Sequence, residues 1–443
     1  MPSPHETPAG DSGDSGRPVL LHGLRLIDGT GSAPVPDAAL LIEGSVIRWA
    51  GPAAQLPVDL GPPTRLDLGG RTVCPGFIDT HVHFALPGPA GNPLQGLLEL
   101  PSYRTLKVLD RLRVTLENGV TTARDLMGLD AGFRQAVAER RIPGPRLLVS
   151  VTMISQRAGH ADFTLAGGID GLAVAVTFPE SPRSLVGSVD DMRARVRDLV
   201  AAGADCVKLA SSGGVTSPHD RPEWLGLRPE MIRAAVEEAQ AYGGLPVAAH
   251  AIGRPGIEAA VHGGVTSIEH GYALDDELRA EMVARGQYLV PTLLETTQDL
   301  DPARTSPSAY EKGVRWHRIA QESVARSASA GVRMAMGTDS GLAVGHGRNL
   351  QELGLLVDIA GLTPMEAIVA ATGDAARLCG VDEVTGTLVA GRAADLVVTD
   401  VDPLSDIASL GESAHILAVV KEGRIAVDRA GVLGDGVLPA LCP

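Results

Sequence analysis

The hydrophobic positions change period along the chain. From about Val19 to Leu68 short apolar runs alternate with turn residues, as in "VLLHGLRLIDG", "AALLIEGSVIRWAG" and "TRLDLGG". Asp28-Gly29 and Glu43-Gly44 are turn signals between these runs. The same texture returns after about Val384 in "GTLVAGRAADLVVTD" and "ILAVVKEGRIAVD", with Glu422-Gly423 between strands. Two β-rich ends flanking a long middle predict that the ends pair into one small β unit.

The middle alternates strand and helix. Strand-length apolar runs are "VCPGFIDTH", "VTTARDL", "PRLLVSVTMI", "ADCVKLASSG", "PVAAHAI", "VTSIEHG", "QYLVPTL" and "VRMAMGTDS". Between them lie segments of helical period, such as "KVLDRLRVTLENG", "VDDMRARVRDLVAAGA" and "PEMIRAAVEEAQAYGG". Several are predicted to stop at glycine, at Gly119, Gly203, Gly243, Gly263, Gly286 and Gly331, because a left-handed C-cap favours a residue without Cβ. Eight β runs with interleaved helices predict an α/β fold, with a (β/α)8 TIM barrel as the leading architecture. A doubly wound open sheet is the alternative, but no GxGxxG follows the first strand.

Composition narrows the class. The 443 residues suit a large barrel with an appendage, and shares of 44% apolar and 21% charged are ordinary for a soluble globular chain. A net charge of −15 argues against a general affinity for nucleic acid or anionic membrane. Aromatics are only 3%, so the core must rest on Val, Leu, Ile and Ala. Cys74, Cys206, Cys379 and Cys442 show no CxxC spacing, which argues against a disulfide scaffold or zinc ribbon and for the thiols of a reducing compartment. The polar N-terminus "MPSPHETPAGDSGDSGRP" has no apolar h-region and is expected to be a disordered tail. With no apolar run of membrane-spanning length, the expectation is a cytoplasmic protein acting on a small molecule, without a membrane or nucleic-acid partner.

A barrel gathers catalytic side chains at the C-terminal ends of its strands. The first predicted strand ends in "THVH", so His81 and His83 share a face by the period-two rule. The fourth carries Lys208, the fifth ends in His250, the sixth in His270 and the eighth in Asp339. Singly, each has a structural reading: a hydrogen-bonded histidine, a snorkelling lysine, a capping aspartate. All six at equivalent strand ends point instead to metal. Zinc takes neutral imidazole and carboxylate and keeps a position open for water in catalytic sites. His81 and His83 are expected to bind one zinc, and His250 and His270 a second. A strand lysine pressed against two cations should lose its proton. As a carbamate, Lys208 would bridge both ions. Asp339 would complete the first site and accept the proton of the bridging water.

The ordered motifs "LIDGTG", "PGFIDTHVH", "GVTTARDL", "VKLASSGG", "AAHA", "SIEHG", "GTDSG", "LTPMEAIVAATGDAARLCG" and "GTLVAGRAADLVVTDVDPL" span nearly the whole chain, and with them the sequence resembles the amidohydrolase superfamily. The resemblance implies a β-sandwich made by both termini and a binuclear zinc centre, Zn2+ twice per chain, with a carboxylated lysine. The ligand pattern falls on His81, His83, Lys208, His250, His270 and Asp339. The implied organisation is a tail over 1–18, a β-sandwich over 19–70 and 384–443, and the metal-dependent hydrolase barrel over 71–383. It also implies a homo-oligomer.

Within that superfamily, mononuclear ring deaminases typically lack the bridging lysine and carry an His-x-x-Glu motif after strand five. This chain has Lys208 and reads "HAIG", with Gly253 at the glutamate position. Hydrolysis of an amide, carbamate or ester is therefore favoured over ring deamination, and the imidazolonepropionase-like branch is disfavoured. The chain is most similar to prolidase-type dipeptidases acting on Xaa-Pro, Xaa-Arg or N-acyl amino acids, and to ochratoxin-cleaving amidohydrolases. "SQRAGHADF", "KLASSGGVTSPHD", "EHGYALDDE", "LVPTL" and "GHGRNLQEL" carry that similarity. His160 is the candidate for hydrogen-bonding a tetrahedral oxyanion, with a purely structural loop histidine as its alternative. Tyr272, His346 with Arg348, and His219 are candidate substrate contacts. "SPHDRPEW" departs from the usual wording of that loop. Arg124 and Asp125 are expected to form a structural pair. Lactonase, carbamate hydrolase or ring deaminase activity on the same scaffold is the alternative; a non-catalytic relative would be expected to have lost ligands.

Overall fold

Strands form toward both ends of the chain, where short apolar runs alternate with turn residues. The protein, a computed structural model, is described over residues 17–57, 62–89, 98–164, 167–168, 170–171, 175–176, 180–217, 219–298, 307–434 and 436–442. All but the last two residues of the expected 1–18 tail lie outside the described residues. The first five strands are β1 (Val19–Leu26), β2 (Val35–Glu43), β3 (Val46–Pro52), β4 (Thr64–Asp67) and β5 (Thr72–Pro75). β2 and β3 make an antiparallel hairpin around the predicted Glu43-Gly44 turn, with Gly44 at a left-handed φ of 58°.

The chain then alternates. In order come β6 (Phe77–Val82), α1 (Pro101–Glu117), β7 (Val120–Asp125), α2 (Ala131–Ala138), β8 (Arg146–Val149) and β9 (Met153–Ile154). α3 (Val189–Ala201), β10 (Val207–Ala210), α4 (Pro229–Ala241), β11 (Val247–Ala251) and α5 (Arg254–Gly263) follow. Next are β12 (Ser267–His270), α6 (Asp276–Arg285), β13 (Tyr288–Val290), α7 (Leu293–Thr296), α8 (Pro307–Ser329) and β14 (Arg333–Met334). Three helices, α9 (Gln351–Asp358), α10 (Pro364–Ala370) and α11 (Gly373–Cys379), precede the closing strands β15 (Leu396–Thr399), β16 (Ile416–Lys421) and β17 (Arg424–Asp428).

β5 pairs antiparallel with β15, which joins the two ends as predicted. Hydrogen bonding makes them a single eight-stranded sheet in the order β17-β16-β15-β5-β1-β2-β3, with β4 on β1. Leu21, Leu40, Ile42, Val73, Leu396 and Val420 pack on one face. Leu20, Ala39 and Leu41 pack against Trp49 on the other. Covering both faces explains why β2 reads "AALLI" without polar alternation.

The central strands differ from one continuous barrel ladder. They form a three-stranded parallel sheet, β6-β7-β8, and a six-stranded parallel sheet, β9 to β14. The break falls inside the predicted strand "PRLLVSVTMI". Val151 there takes a left-handed φ of 64°, which a β-branched residue rarely adopts, so β8 pairs with β7 while β9 pairs with β10. At the other seam Thr80 N–H donates to Met336 O at 2.9 Å and His83 N–H to Ser340 O at 2.8 Å. These bonds set the end of β6 beside the segment that follows β14.

Helix stops follow the glycine prediction with one shift. α5 ends with Gly264 in the left-handed conformation, φ 84°, rather than at Gly263. Gly263 is the last helical residue, and a side chain there would run into Ile232 of α4. The predicted run "TPMEAIVAATGDAARLCG" splits at Thr372, whose hydroxyl donates to Ile368 O at 2.6 Å. Among the described residues no helix is long and apolar enough to cross a membrane. The cysteines are free, and Cys74, Cys206 and Cys379 are buried while Cys442 is half-buried.

Candidate metal centre

Six of the predicted residues meet where the parallel strands end. His81, next to last in β6, lies 5.3 Å from His83, ring centre to ring centre, and 5.2 Å from His270 at the end of β12. His250, in β11, is 4.7 Å from His270. Lys208, buried in β10, places Nζ 3.3 Å from His81 Nε2. Asp339, five residues past β14, presents Oδ1 3.4 Å from His81 Nε2 and 3.1 Å from His83 Nε2. One donor atom each from His81, His270 and Asp339 lies within 4.8 Å of the others. His270 and Asp339 both hold positive φ, 74° and 55°, strain of the kind that collects at functional sites.

Polar contacts behind the rings decide which nitrogens face inward. His81 Nδ1 meets Glu269 Oε2 at 2.8 Å, His83 Nδ1 meets Met127 O at 3.3 Å, and His270 Nδ1 meets Thr292 Oγ1 at 2.8 Å. These leave Nε2 of each ring for a metal. His250 is reversed: its Nε2 meets Gly213 O at 3.1 Å, leaving Nδ1. Burial holds His250 and His270 well below the usual imidazole range and His81 down to about 4, so all three are neutral donors at pH 7. Burial also lowers the Lys208 ammonium to about 8. Neutral imidazoles, a carboxylate and an easily deprotonated amine fit a divalent cation of zinc type.

A buried carboxylate layer supports this set, and residue patterning had not assigned it. Glu269 takes Arg124 Nη2 at 3.1 Å and Ser267 Oγ at 2.5 Å. Burial alone would raise its carboxyl, but Arg124 and then His81 hold it well below the usual range. Arg124 therefore pairs with Glu269, not with Asp125 as predicted. Asp125 instead accepts N–H bonds from Phe84, Met127 and Leu129 at 2.8, 3.3 and 3.1 Å. Asp79 accepts from Thr338 Oγ1 at 2.6 Å and Asn349 Nδ2 at 2.7 Å, tying β6 to the segment that carries Asp339. Glu295 of α7 shares a hydrogen bond with Asp339. Burial and then the Asp339 charge raise Glu295 well above the usual range, which favours its protonated form beside Asp339. Burial opposes ionisation of Asp339, but His81 and then His83 hold it well below.

The loop candidates divide. His160 lies flat on His250, centroids 4.0 Å apart and planes 11° from parallel, and its Nδ1 is 3.1 Å from Asp220 Oδ2. Tyr272 is buried beside His270, ring centres 5.6 Å apart, with its hydroxyl 3.1 Å from Thr292 Oγ1. His346 sits behind His83, stacked on Phe84 at 4.9 Å, where burial lowers it to about 3. Arg348 is exposed and donates to Gln351 at 3.0 Å and Gln298 at 3.3 Å. His219 is exposed, with its backbone N–H on Ser217 Oγ at 3.4 Å. These contacts of Arg348 and His219 do not reach the histidine cluster.

Comparison with known proteins adds to this geometry. The model of the amidohydrolase family matches residues 72–426. An ochratoxinase of Aspergillus niger is 30% identical over 428 residues, 94% of this chain and 88% of that one. The crystal structure of A. niger ochratoxinase superposes with a TM-score of 0.82 at 28% identity, covering 96% of this chain and 99% of the other. A prolidase solved with N-methylphosphonate-L-proline gives 0.83 at 30% identity, covering 93% and 100%. An imidazolonepropionase of Ruegeria pomeroyi is 27% identical over 417 residues, 88% of this chain and 95% of its own. These likenesses imply a TIM-barrel fold for the mixed α/β chain.

Proposed function

Because the chain belongs to the amidohydrolase family and is a hydrolase acting on carbon–nitrogen bonds, we propose that it cleaves the amide bond of a dipeptide or N-acyl amino acid, ochratoxin-like compounds included, at a binuclear zinc centre. In this reading residues 71–383 close into one (β/α)8 barrel, and 19–70 with 384–443 form a β-sandwich. The observation that carries the reading is Lys208, buried 3.3 Å from His81 Nε2 with its ammonium lowered to about 8. Its amine can shed a proton near neutral pH and take up CO2, giving a carbamate long enough to serve two cations. His81 and His83 would hold one ion, His250 and His270 the other, with the Lys208 carbamate between them and Asp339 on the first. Zinc bound there would supply Lewis acidity toward the amide carbonyl and an activated water.

The chain's own groups supply the rest. Asp339, whose Oδ1 stands 3.1 Å from His83 Nε2, would take a proton from the attacking water and return it to the leaving nitrogen. The His160 ring, stacked beside His250, would donate to the carbonyl oxygen as negative charge develops. Tyr272 lines the His270 side of the cluster. A glutamate at position 253, the His-x-x-Glu position of ring deaminases, has no room: a side chain there would meet the Pro222 carbonyl. That disfavours ring deamination and the imidazolonepropionase-like branch, although an imidazolonepropionase is among the relatives.

A panel of Xaa-Pro and Xaa-Arg dipeptides, N-acyl amino acids, lactones, carbamates and heterocycles, assayed with zinc-loaded protein, tests the reading. A free amino acid should appear from the peptide-like substrates, without ammonia. Ammonia from a heterocycle alone, or turnover confined to lactones, overturns it.

A further inference from the structure

The chain following β10 holds two of the clustered imidazoles at once. Gly213 O takes His250 Nε2 at 3.1 Å, and Asp220 Oδ2 takes His160 Nδ1 at 3.1 Å. Gly214 is bare because a side chain there would occupy the space of the His160 ring. Another element adds a clamp on this stretch. Lys312, in the second turn of α8, donates to Gly214 O at 2.9 Å, to Asp220 O at 3.0 Å and to Ser217 O. Its Nζ also stands 3.9 Å from Asp220 Oδ1. An ammonium has three N–H donors, and these three carbonyls use them all. One turn further along the same face, Trp316 packs with Val215, Ile252 and Tyr272, so α8 meets the stretch through a polar clamp and an apolar one.

We propose that Lys312 is a positioning residue for turnover: it clamps the chain after β10, fixes Asp220, and through Asp220 orients His160 against His250. The inference rests on the amide-hydrolase reading for its kinetic consequence. The physical basis is that Asp220 is 3% exposed and that its carboxylate, which also accepts from Gly214 N–H and the Ser217 side chain, is aimed at His160 from a stretch whose carbonyls at Gly214, Ser217 and Asp220 Lys312 binds. With the ammonium gone, three carbonyls lose their donor together. A displacement of the His160 ring by about 1 Å is enough to cost on the order of 100-fold in rate.

Two measurements test it. In Lys312→Met, kcat on the substrate found in the panel should fall by roughly 10–100-fold while KM and zinc content stay near wild type. Lys312→Met/Asp220→Asn should lose no more than the worse of its two single variants, because both act on one ring. Should Lys312→Met not fold, Lys312→Cys treated with 2-bromoethylamine restores an ammonium of the same reach and should recover kcat. The second measurement needs no substrate. In protein labelled with 15N-histidine and free of metal, the His160 Nδ1 proton, assigned by its loss in His160→Gln, should be visible in the parent chain. It should broaden or disappear in Lys312→Met. If the panel yields no turnover, the amide reading fails and this resonance alone decides the clamp. Unchanged kcat in a folded Lys312→Met, losses that multiply in the double variant, or an unmoved resonance overturns the proposal.

Discussion

His81 presents Nδ1 to Glu269 Oε2 at 2.8 Å, and both groups are buried. The carboxylate fixes the His81 tautomer, turns Nε2 toward Asp339 and Lys208, and makes the imidazole a stronger donor. Glu269 is itself kept ionised by Arg124.

Glu269→Gln keeps the shape of this contact and removes its charge. The variant should bind zinc about 10–100-fold more weakly, the usual effect of losing a carboxylate behind a liganding histidine. Competition with a colorimetric chelator measures it. Zinc affinity equal to that of the parent chain would show that Glu269 does not tune His81.

A second expectation concerns pH. Glu352 is fully buried and accepts the N–H groups of Leu293 and Leu294 at 2.7 and 2.6 Å, anchoring α7 and with it Glu295. Burial pushes its carboxyl up to about 8, against the pull of those two bonds. The folded pKa lies above the unfolded one. The contribution of the protonated form is therefore complete below the unfolded value and is lost as pH rises through about 8. Glu352→Gln cannot ionise and should gain on the parent chain by an amount on the order of 1–3 kcal/mol as pH rises from about 6 to 9. Asp79 and Asp125, raised by burial to about 6, act with the same sign in a lower window. Urea midpoints across this range decide the matter, and a gap that stays constant with pH removes Glu352 as the titrating group.

The parts of this architecture that depend on local periodicity were legible in the amino-acid order. His81 and His83 share a face because side chains alternate along a strand, and their neighbours in the cluster lie on other strand ends. The terminal strands, too, announce themselves by turn dipeptides. The buried partners were not legible, because a charged residue in an apolar strand announces a need for a partner without naming it. Arg124 shows why adjacency misleads. Consecutive strand residues point to opposite faces, so Arg124 and Asp125 cannot pair, and the guanidinium reaches 145 residues along the chain to Glu269. Lys312 lies in a helix whose period gives no hint that its ammonium is spent on carbonyls of a distant loop. The break in the third central strand depends on the single backbone angle at Val151, which no side-chain pattern encodes.

The Arg124–Glu269 pair carries the last prediction. Both side chains are fully buried, with Nη2 and Oε1 3.1 Å apart, and Arg124 Nε also donates to Thr80 O at 2.6 Å beside His81. Burial disfavours the guanidinium charge, yet Glu269, together with Cys379 and Cys206, holds Arg124 above its usual value. Removing one partner strands the other charge in an apolar interior, which costs about 3–5 kcal/mol in comparable buried pairs. Arg124→Leu should show a loss of that size in urea denaturation. Adding Glu269→Gln should recover part of it, since the stranded carboxylate is then neutral and the coupling between contacting residues is non-additive. The double variant should remain weak in zinc binding, because His81 has lost its orienting charge whether or not the fold is restored. Stability losses that simply add would mean that the two charges do not depend on one another, and the buried pair would no longer account for how β7 and β12 hold His81 in place.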